Sequence, residues 1–472
     1  MSKEFVQASS MAPPHFLLVT FPSQGHINPS LQFAKRLVRV GAHVTFATAI
    51  HAHHRMAESK SPPVGLSFAS FSDGYDDGID KDDLDGYMDE LKRQGSETLS
   101  NLIASNLENG RRFLGVFYTT LLPWVADVAR SHGIPSTLVW IQPATVLDFY
   151  YYYFHGYGDL IQSTSDNPSV PIQLPGLPPL MACDIPSFCN SKNVYNFSLP
   201  FLQRHFEILL EEAKPRILTN TFDALEPDAI RAIDKFEVIG IGPLIPSAFL
   251  DGQDPSDTSF GGDLFKSSSG YMEWLDTKPK ASVIYLSFGS ISVLSKPQKE
   301  EMARALVEVG RPFLWVIRES GKEERDEDRL SFQEELDKLG MIVLWCSQVE
   351  VLSHPSVGCF VTHCGWNSTS ESLVCGVPMV AFPQWSDQLT NAKLVADVWR
   401  TGVKMTPNEL GLVESGEMKR GLELVVGDGE EGEEMRRNAR KFRDLAREAV
   451  KEGGSSDKNL RAFVDEAREA AE

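Results

Sequence analysis

Cysteine is scarce. Six residues in 472 are too few for the disulfide framework of a secreted scaffold, so a reducing, cytoplasmic setting is expected. Long apolar runs are missing as well. The polar stretch Met1 to Pro14 precedes only seven strand-like residues, His15 to Phe21, too short for a signal-peptide core with its cleavage site. No segment reaches the ~18 uninterrupted apolar residues of a membrane span. Basic charge is in deficit: 45 Lys and Arg face 65 Asp and Glu, a net charge of −20. That balance disfavours nucleic acid and anionic membranes, and no basic patch breaks it. Two nucleotide motifs are missing too. No Gly-x-x-x-x-Gly-Lys-Ser/Thr occurs, which speaks against a P-loop. Gly240-Ile-Gly242 runs into Pro243 instead of a third glycine, which speaks against a nicotinamide dehydrogenase.

What is present reads as α/β. At ~100–200 residues per domain the length predicts two or three domains. The apolar run His15 to Phe21 predicts a strand, followed by the loop Pro22 to Ile27. A helix is expected next, with Asn28 as its N-cap, Pro29 in its first turn and Phe33, Leu37 and Val40 at helical spacing. His43 to Ala47 completes a parallel β-α-β unit. The same grammar returns at Ala281 to Phe288, a loop Gly289 to Leu294, a helix from Ser295 carrying Met302, Leu306 and Val309, and a strand Pro312 to Ile317. Pro246 to Gly270, rich in Gly, Asp, Ser and Pro, is a candidate linker, and charged helices are expected from Gly432 to Glu472. Asp73 to Glu90 holds nine carboxylates and one lysine, with Asp80-Lys-Asp82 and Asp83-Leu-Asp85 in the Asp-x-Asp spacing of some metal sites. A solvated acidic loop is the favoured reading, and Asp326-Glu-Asp328 is read the same way. The sequons at Asn196 and Asn367 are taken as chance matches.

Ligands of open parallel sheets bind beyond the carboxyl ends of the strands. Four predicted strands, Ala281–Phe288, Met341–Leu344, Gly358–Thr362 and Pro378–Phe382, run into polar or aromatic groups: Gly289-Ser290-Ile-Ser292, Trp345-Cys-Ser-Gln348, His363-Cys-Gly-Trp-Asn-Ser-Thr-Ser-Glu371 and Pro383-Gln-Trp-Ser-Asp-Gln388. The third is a candidate anion site, because the first N–H groups of a helix are unpaired and partly positive. No Lys or Arg occurs from Trp345 to Gln388, so a phosphate there would be held mainly by backbone dipoles, hydroxyls and histidine. Ser368-x-x-Glu371 reads equally well as a capping box. His354, Cys359, His363 and Cys364 lie close together but lack zinc-ligand spacing, and a buried structural Cys359 is preferred. His51, His53 and His54 read as surface histidines.

The block Trp345 to Gln388, 44 residues long, resembles the signature of plant secondary product glycosyltransferases, family 1 UDP-glycosyltransferases. Pro22-Ser-Gln-Gly-His-Ile-Asn-Pro29 also fits, and the resemblance runs over nearly the whole chain, toward the branch of crocetin and anthocyanin 5-O-glucosyltransferases. It implies a GT-B fold: two Rossmann-like domains whose parallel sheets face a central cleft. On that plan residues 1–245 bind the acceptor, 246–270 link, 271–455 bind a UDP-sugar, and 456–472 form a helix packing back on the first domain. It implies inverting transfer, UDP-glucose as co-substrate, no cofactor and no metal. The implied partners are that donor and a small-molecule acceptor, with a monomer as the default state. Trp345 should stack on uracil, Gln348 lie near base and ribose, and Glu371 accept from the ribose hydroxyls. His363, Asn367, Ser368 and Ser292 should contact phosphates, and Trp366, Asp387 and Gln388 the sugar. Ser290, Cys346 and Gly365 complete the donor set. A terminal Gln in this block goes with glucose.

His26 matches the family's general base, and a histidine titrating near ~6.5 suits proton abstraction. Here the chain departs from the family. The usual Asp partner lies in a motif like Tyr-Asp-x-x-x-Pro-Trp, but this sequence reads Tyr118-Thr119-Thr-Leu-Leu-Pro123-Trp124. Thr119 can orient an imidazole but cannot offset the charge of an imidazolium. A carboxylic acid titrating near ~4 arrives ionised, whereas a phenol near ~10 needs its proton removed. The departure therefore predicts a carboxylate acceptor and a glucose ester, with flavonoid or anthocyanin phenols as the alternative. The run Phe149 to Phe154 is expected to help wall an apolar acceptor pocket. Two rival readings are an acyl-CoA transferase on His155-x-x-x-Asp159, which lacks the companion Asp-Phe-Gly-Trp-Gly, and a non-catalytic binding protein, against which His26 and Asp387-Gln388 speak.

Overall fold

A computed structural model describes residues 13–56, 62–78, 83–164, 170–190, 193–318 and 330–470. Strands β1 (His15–Val19), β2 (His43–Ala49), β3 (Leu66–Phe71), β4 (Gly115–Thr119), β5 (Ser136–Trp140), β6 (Arg216–Thr219) and β7 (Glu237–Gly240) form one sheet in the order β3-β2-β1-β4-β5-β6-β7. A second sheet holds β8 (Val283–Ser287), β9 (Phe313–Val316), β10 (Gly340–Val343), β11 (Val357–Thr362), β12 (Met379–Ala381) and β13 (Gly402–Lys404), in the order β10-β9-β8-β11-β12-β13. Every pairing in both sheets is parallel. The chain is thus two doubly wound, Rossmann-like units, as the repeated strand-helix grammar predicts.

Both faces of each sheet are covered, which is why the strands read as near-continuous apolar runs. In β1, Leu17 and Val19 enter one core and Phe16 and Leu18 the other. In β8, Val283 and Tyr285 divide from Ile284 and Leu286 in the same way. The helix Lys296–Val309 starts where expected, its Ser295 hydroxyl accepting from the Gln298 N–H, with Met302 and Leu306 buried.

In each sheet the winding direction reverses between the first and fourth strands, β1/β4 and β8/β11. A crevice opens there beyond the strand ends. The first crevice receives the turn after Val19 and the end of β4 at Thr119; the second receives the loop after Ser287 and the turn after Thr362.

The charged tail divides its work. The helix Glu430–Val450 places Phe442, Ala446 and Val450 in a core with Tyr285 and Phe360. The helix Ser455–Glu469 crosses to the first sheet and buries Leu460, Phe463 and Val464 with Phe16, Leu18 and Phe117. Ser456 Oγ donates to the Gly242 carbonyl, and the Arg216 guanidinium lies 4.6 Å above the Phe463 ring.

Of the acidic stretch, Asp80 and Asp82 lie outside the described residues, as does Asp326-Glu-Asp328. Asp83 caps the helix Leu84–Glu108 by accepting from the Gly86 N–H, and Asp85 accepts from the Phe197 N–H. Both are structural. Phe463→Ala should lower stability by about 3–5 kcal/mol, the usual cost of removing a buried aromatic ring, read as a fall in the urea midpoint.

Candidate functional site

The helix after β1 runs from Gln24 to Arg39, so the expected start at Asn28 is corrected. Ser23 is the N-cap, and Pro29 lies inside the helix, not in its first turn. The displacement has a chemical consequence. Pro29 has no N–H to give the carbonyl four residues back, and that carbonyl, Gly25 O, accepts instead from Asn367 Nδ2 at 2.8 Å. Asn367 lies in the first turn of the helix Trp366–Cys375, which follows β11. A proline in one unit thus leaves a carbonyl for an amide of the other, and two helix starts meet across the cleft.

His26 occupies the first turn of the earlier helix, partly open to the cleft. Its Nδ1 lies 3.5 Å from Thr119 Oγ1, a long contact. Thr119 belongs to a chain of hydroxyls: its Oγ1 is 3.5 Å from Thr20 Oγ1, and Ser30 Oγ reaches Thr20 Oγ1 at 3.0 Å and the His26 carbonyl at 2.7 Å. Nothing in that chain carries charge. Burial without a compensating carboxylate pushes the His26 pKa down to about 3.

The second helix start is bare. Gly365 is the N-cap, and no side chain bonds the first-turn N–H groups. The capping-box reading of Ser368 and Glu371 is therefore corrected, because both lie within the helix. They meet Gln348 instead, whose Nε2 donates to Ser368 Oγ at 2.8 Å and Glu371 Oε2 at 2.9 Å. Burial raises the Glu371 pKa to about 7. Trp345 stands beside this group, partly exposed, its ring 4.4 Å from that of Phe265. The Cys346 thiol turns inward onto the Tyr285 hydroxyl at 3.4 Å, so only the backbone of Cys346 faces the rim.

His363 lies on the cleft floor between two glycines. A Cβ on Gly289 would come 2.7 Å from its Nε2, and one on Gly365 would come 2.5 Å from it. Gly289 also has φ +73°, so close approach and backbone conformation both require glycine there. Burial, and secondarily the charge of Arg318, lowers the His363 pKa to about 4. Its Nδ1 and the Ser292 hydroxyl are buried with no partner among the described residues.

Opposite, Asn391 Nδ2 donates to Asp387 Oδ2 at 2.7 Å and to the Cys364 carbonyl at 2.9 Å. Burial raises the Asp387 pKa to about 6. Gln388 Oε1 accepts the N–H groups of Gln384 and Trp385 at 2.9 and 3.1 Å, which fixes its amide. Ser386, in the left-handed region at φ +58°, exchanges two hydrogen bonds with Ser187 of the first unit. The indole N–H of Trp366 donates to the Asn220 carbonyl at 2.7 Å, which commits its ring to the contact between units and leaves its backbone for the cleft.

The residues of the four strand ends therefore converge with His26 and Thr119. Three contributors were not foreseen. Asn391 lies one helical turn beyond Asp387. Ser187 gave no sequence signal. Arg318 lies just past β9, a strand end on the same rim outside the cation-free block, and its guanidinium bonds the Ser290 and Ser292 carbonyls. Other candidates stay apart. The His155 imidazole stacks on the Tyr151 ring at 4.4 Å and contacts the Tyr151 carbonyl at 2.8 Å, and no bond among the described residues joins it to Asp159. Phe149, Tyr150 and Tyr152 are buried in the first core, so that run is largely a packed helix face. His354 contacts Ser356 and Asp276, and Cys359 is buried in β11. His51, expected at the surface, instead places Nδ1 3.4 Å from the buried Asp73. Among the described residues no group of three or more His, Cys, Asp or Glu could hold a metal, and no helix is long and apolar enough to cross a membrane.

Residues 267–444 match the family model described as UDP-glucoronosyl and UDP-glucosyl transferase. The chain is 58% identical over 450 residues to "Crocetin glucosyltransferase, chloroplastic" of Gardenia jasminoides, covering 94% of this chain and 95% of that protein. It is 59% identical over 464 residues to "Phloretin 4'-O-glucosyltransferase" of Malus domestica, covering 95% and 96%. Its fold is similar to the GT-B structure of Os79 from O. sativa in complex with UDP, with a TM-score of 0.85, 33% identity, and 96% of this chain and 100% of that chain covered.

Trp366→Phe leaves the buried Asn220 carbonyl unpaired and should lower stability by ~1–3 kcal/mol, measured by chemical denaturation.

Proposed function

The chain belongs to the UDP-glucoronosyl and UDP-glucosyl transferase family, and from that premise we propose that it transfers glucose from UDP-glucose, with inversion, to the carboxylate of a small apolar plant metabolite, making a glucose ester. The observation that carries the acceptor assignment is the uncharged surrounding of His26, whose partner is Thr119 and whose pKa is pushed down to about 3. Such an imidazole is neutral at working pH but a weak base. An acceptor that arrives ionised asks little of it. O-Glucosylation of a flavonoid or anthocyanin phenol is the second reading, and the similarity to the phloretin enzyme favours it.

In the proposed complex the uracil lies on Trp345 and the ribose hydroxyls donate to Glu371, which Gln348 holds in place. The diphosphate lies over the bare start of the helix Trp366–Cys375, where the N–H groups of Gly365 and its successors, His363, Asn367, Ser368, Ser290 and Ser292 surround it. The backbones of Cys346 and Trp366 complete the lining. Asp387 and Gln388 grip vicinal glucose hydroxyls with paired acceptors and donors. The acceptor oxygen attacks the anomeric carbon as its bond to the β-phosphate oxygen breaks. Charge grows on the departing diphosphate, where helix N–H groups stabilise it. No metal is assigned a part, so a chelator should leave turnover unchanged. Six unpaired cysteines are consistent with a cytoplasmic setting.

A donor-consumption screen with UDP-glucose against matched carboxylic acids and phenols tests the whole reading. His26→Ala should cost phenols at least tenfold more in kcat/KM than acids, and equal losses would remove the acceptor argument. Thr119→Asp should raise the His26 pKa. An acid limb in kcat/KM near pH ~6–7, which the parent chain lacks above pH ~4, should then appear, with phenols gaining relative to acids. Glu371 gives a second pH signature. Below about 7 it is protonated, and above that it accepts from both ribose hydroxyls. Affinity for UDP-glucose, which itself does not titrate there, should tighten by up to about tenfold in all from pH ~6 to ~8, and Glu371→Gln should flatten the trend.

A further inference from the structure

Arg318 stands two residues beyond β9, the neighbour of β8 in the second sheet. Its Nη1 donates to the Ser290 carbonyl, and its Nη2 donates to the Ser292 carbonyl at 2.7 Å. The guanidinium thus closes a two-pronged grip on the loop that carries Gly289, Ser290 and Ser292. A trans peptide points its N–H opposite its carbonyl, so the same grip aims the N–H groups of Ile291 and Val293 away from the cation. The side chain is half-buried, no carboxylate among the described residues pairs with it, and burial alone shifts its pKa, downward. Among the described residues its positive charge therefore has no ionic partner. That charge is felt at His363, whose pKa it helps to lower, and His363 packs directly against Gly289 of the gripped loop. Ser292 Oγ, on the gripped loop, and Nδ1 of His363, which packs against Gly289, are both buried without a partner among the described residues.

We propose that Arg318 is a positioning residue for the donor diphosphate: it sets the shape of the Gly289–Ser292 loop through two carbonyls and supplies a buried positive charge behind the phosphate subsite. The proposal rests on the reading that the diphosphate of a UDP-sugar lies over Ser292, His363 and the start of the helix Trp366–Cys375. A carbonyl grip of this kind favours arginine over lysine, because the planar fork reaches two acceptors at once and keeps its charge when buried.

The test is calorimetric binding of UDP and of uridine to the full chain and to Arg318→Gln and Arg318→Lys. Parent chain that binds UDP no more tightly than uridine would overturn the donor-site reading itself, before Arg318 is at issue. With that reading intact, Arg318→Gln should weaken UDP by about tenfold or more, the scale of a charge-assisted hydrogen bond, while uridine affinity stays within about twofold. The salt dependence of UDP binding should also become shallower in Arg318→Gln. Should Arg318→Gln not fold, Arg318→Lys decides. It keeps the charge and loses the fork, so UDP should weaken about threefold to tenfold with uridine unchanged. Equal losses for UDP and uridine would mean a merely structural role, and unchanged UDP affinity in both variants would mean no role. Either result overturns the proposal.

Discussion

A backbone carbonyl that its own helix cannot satisfy sets the geometry of the site. Pro29 deprives Gly25 of its intrahelical partner, and Asn367 of the other unit supplies the replacement. A buried carbonyl left unpaired costs about 1–3 kcal/mol, so the two units have a local reason to meet at this point. His26 follows Gly25 directly, and Asn367 lies in the first turn of a helix whose N–H groups no side chain caps. One hydrogen bond therefore sets the distance between His26 and the uncapped start of the helix Trp366–Cys375, the base and the anion site of the proposed transfer. Trp366 to Asn220, and Ser187 to Ser386, hold the same interface from either side.

The protonation of the site's side chains follows from burial. His26 and His363 are depressed to about 3 and about 4, while Glu371 and Asp387 are raised to about 7 and about 6. Each shift moves its group toward neutrality, as desolvation requires. Near pH 7 Asp387 still ionises and Glu371 does so in part, and the positive side of the cleft is made by helix N–H groups that carry partial charge and by the guanidinium of Arg318. Those positive groups suit a dianion, which a protein with a net charge of −20 would otherwise repel.

Much of this is legible in the sequence alone. Strand runs, the two β-α-β starts and the convergence of four strand ends follow from apolar periodicity and the rule that open parallel sheets bind ligands beyond their carboxyl ends. The errors have physical causes. Asn28-Pro29 looks like a helix start because proline is most at home in a first turn. Nothing local reveals that a distant amide will satisfy the carbonyl it frees. Ser368-x-x-Glu371 has capping-box spacing, yet the turn at Cys364, with φ +60°, starts the helix earlier and turns both side chains toward Gln348. Arg318 lies outside the block Trp345 to Gln388, which holds no cation, and only the fold brings it in from a neighbouring strand. Tertiary partners of this sort leave no periodic trace in the sequence.

Thr119 separates what the family fixes from what this chain adds. The path Thr119, Thr20, Ser30 ends on the His26 carbonyl, so the imidazole is oriented by neutral groups from start to finish. An aspartate in place of Thr119 would strengthen the base, but it would also place a fixed negative charge near the acceptor's entry. At an effective dielectric of ~20, two unit charges ~8 Å apart repel by about 2 kcal/mol, roughly a thirtyfold loss for an ionised acceptor and none for a neutral phenol. On the proposed reading the substitution therefore acts twice in one direction. It weakens a base that a carboxylate does not need, and it removes a repulsion that only a carboxylate would feel. Selectivity of that form comes from what the site leaves out, so a search for an added positive contact to the acceptor would miss its source.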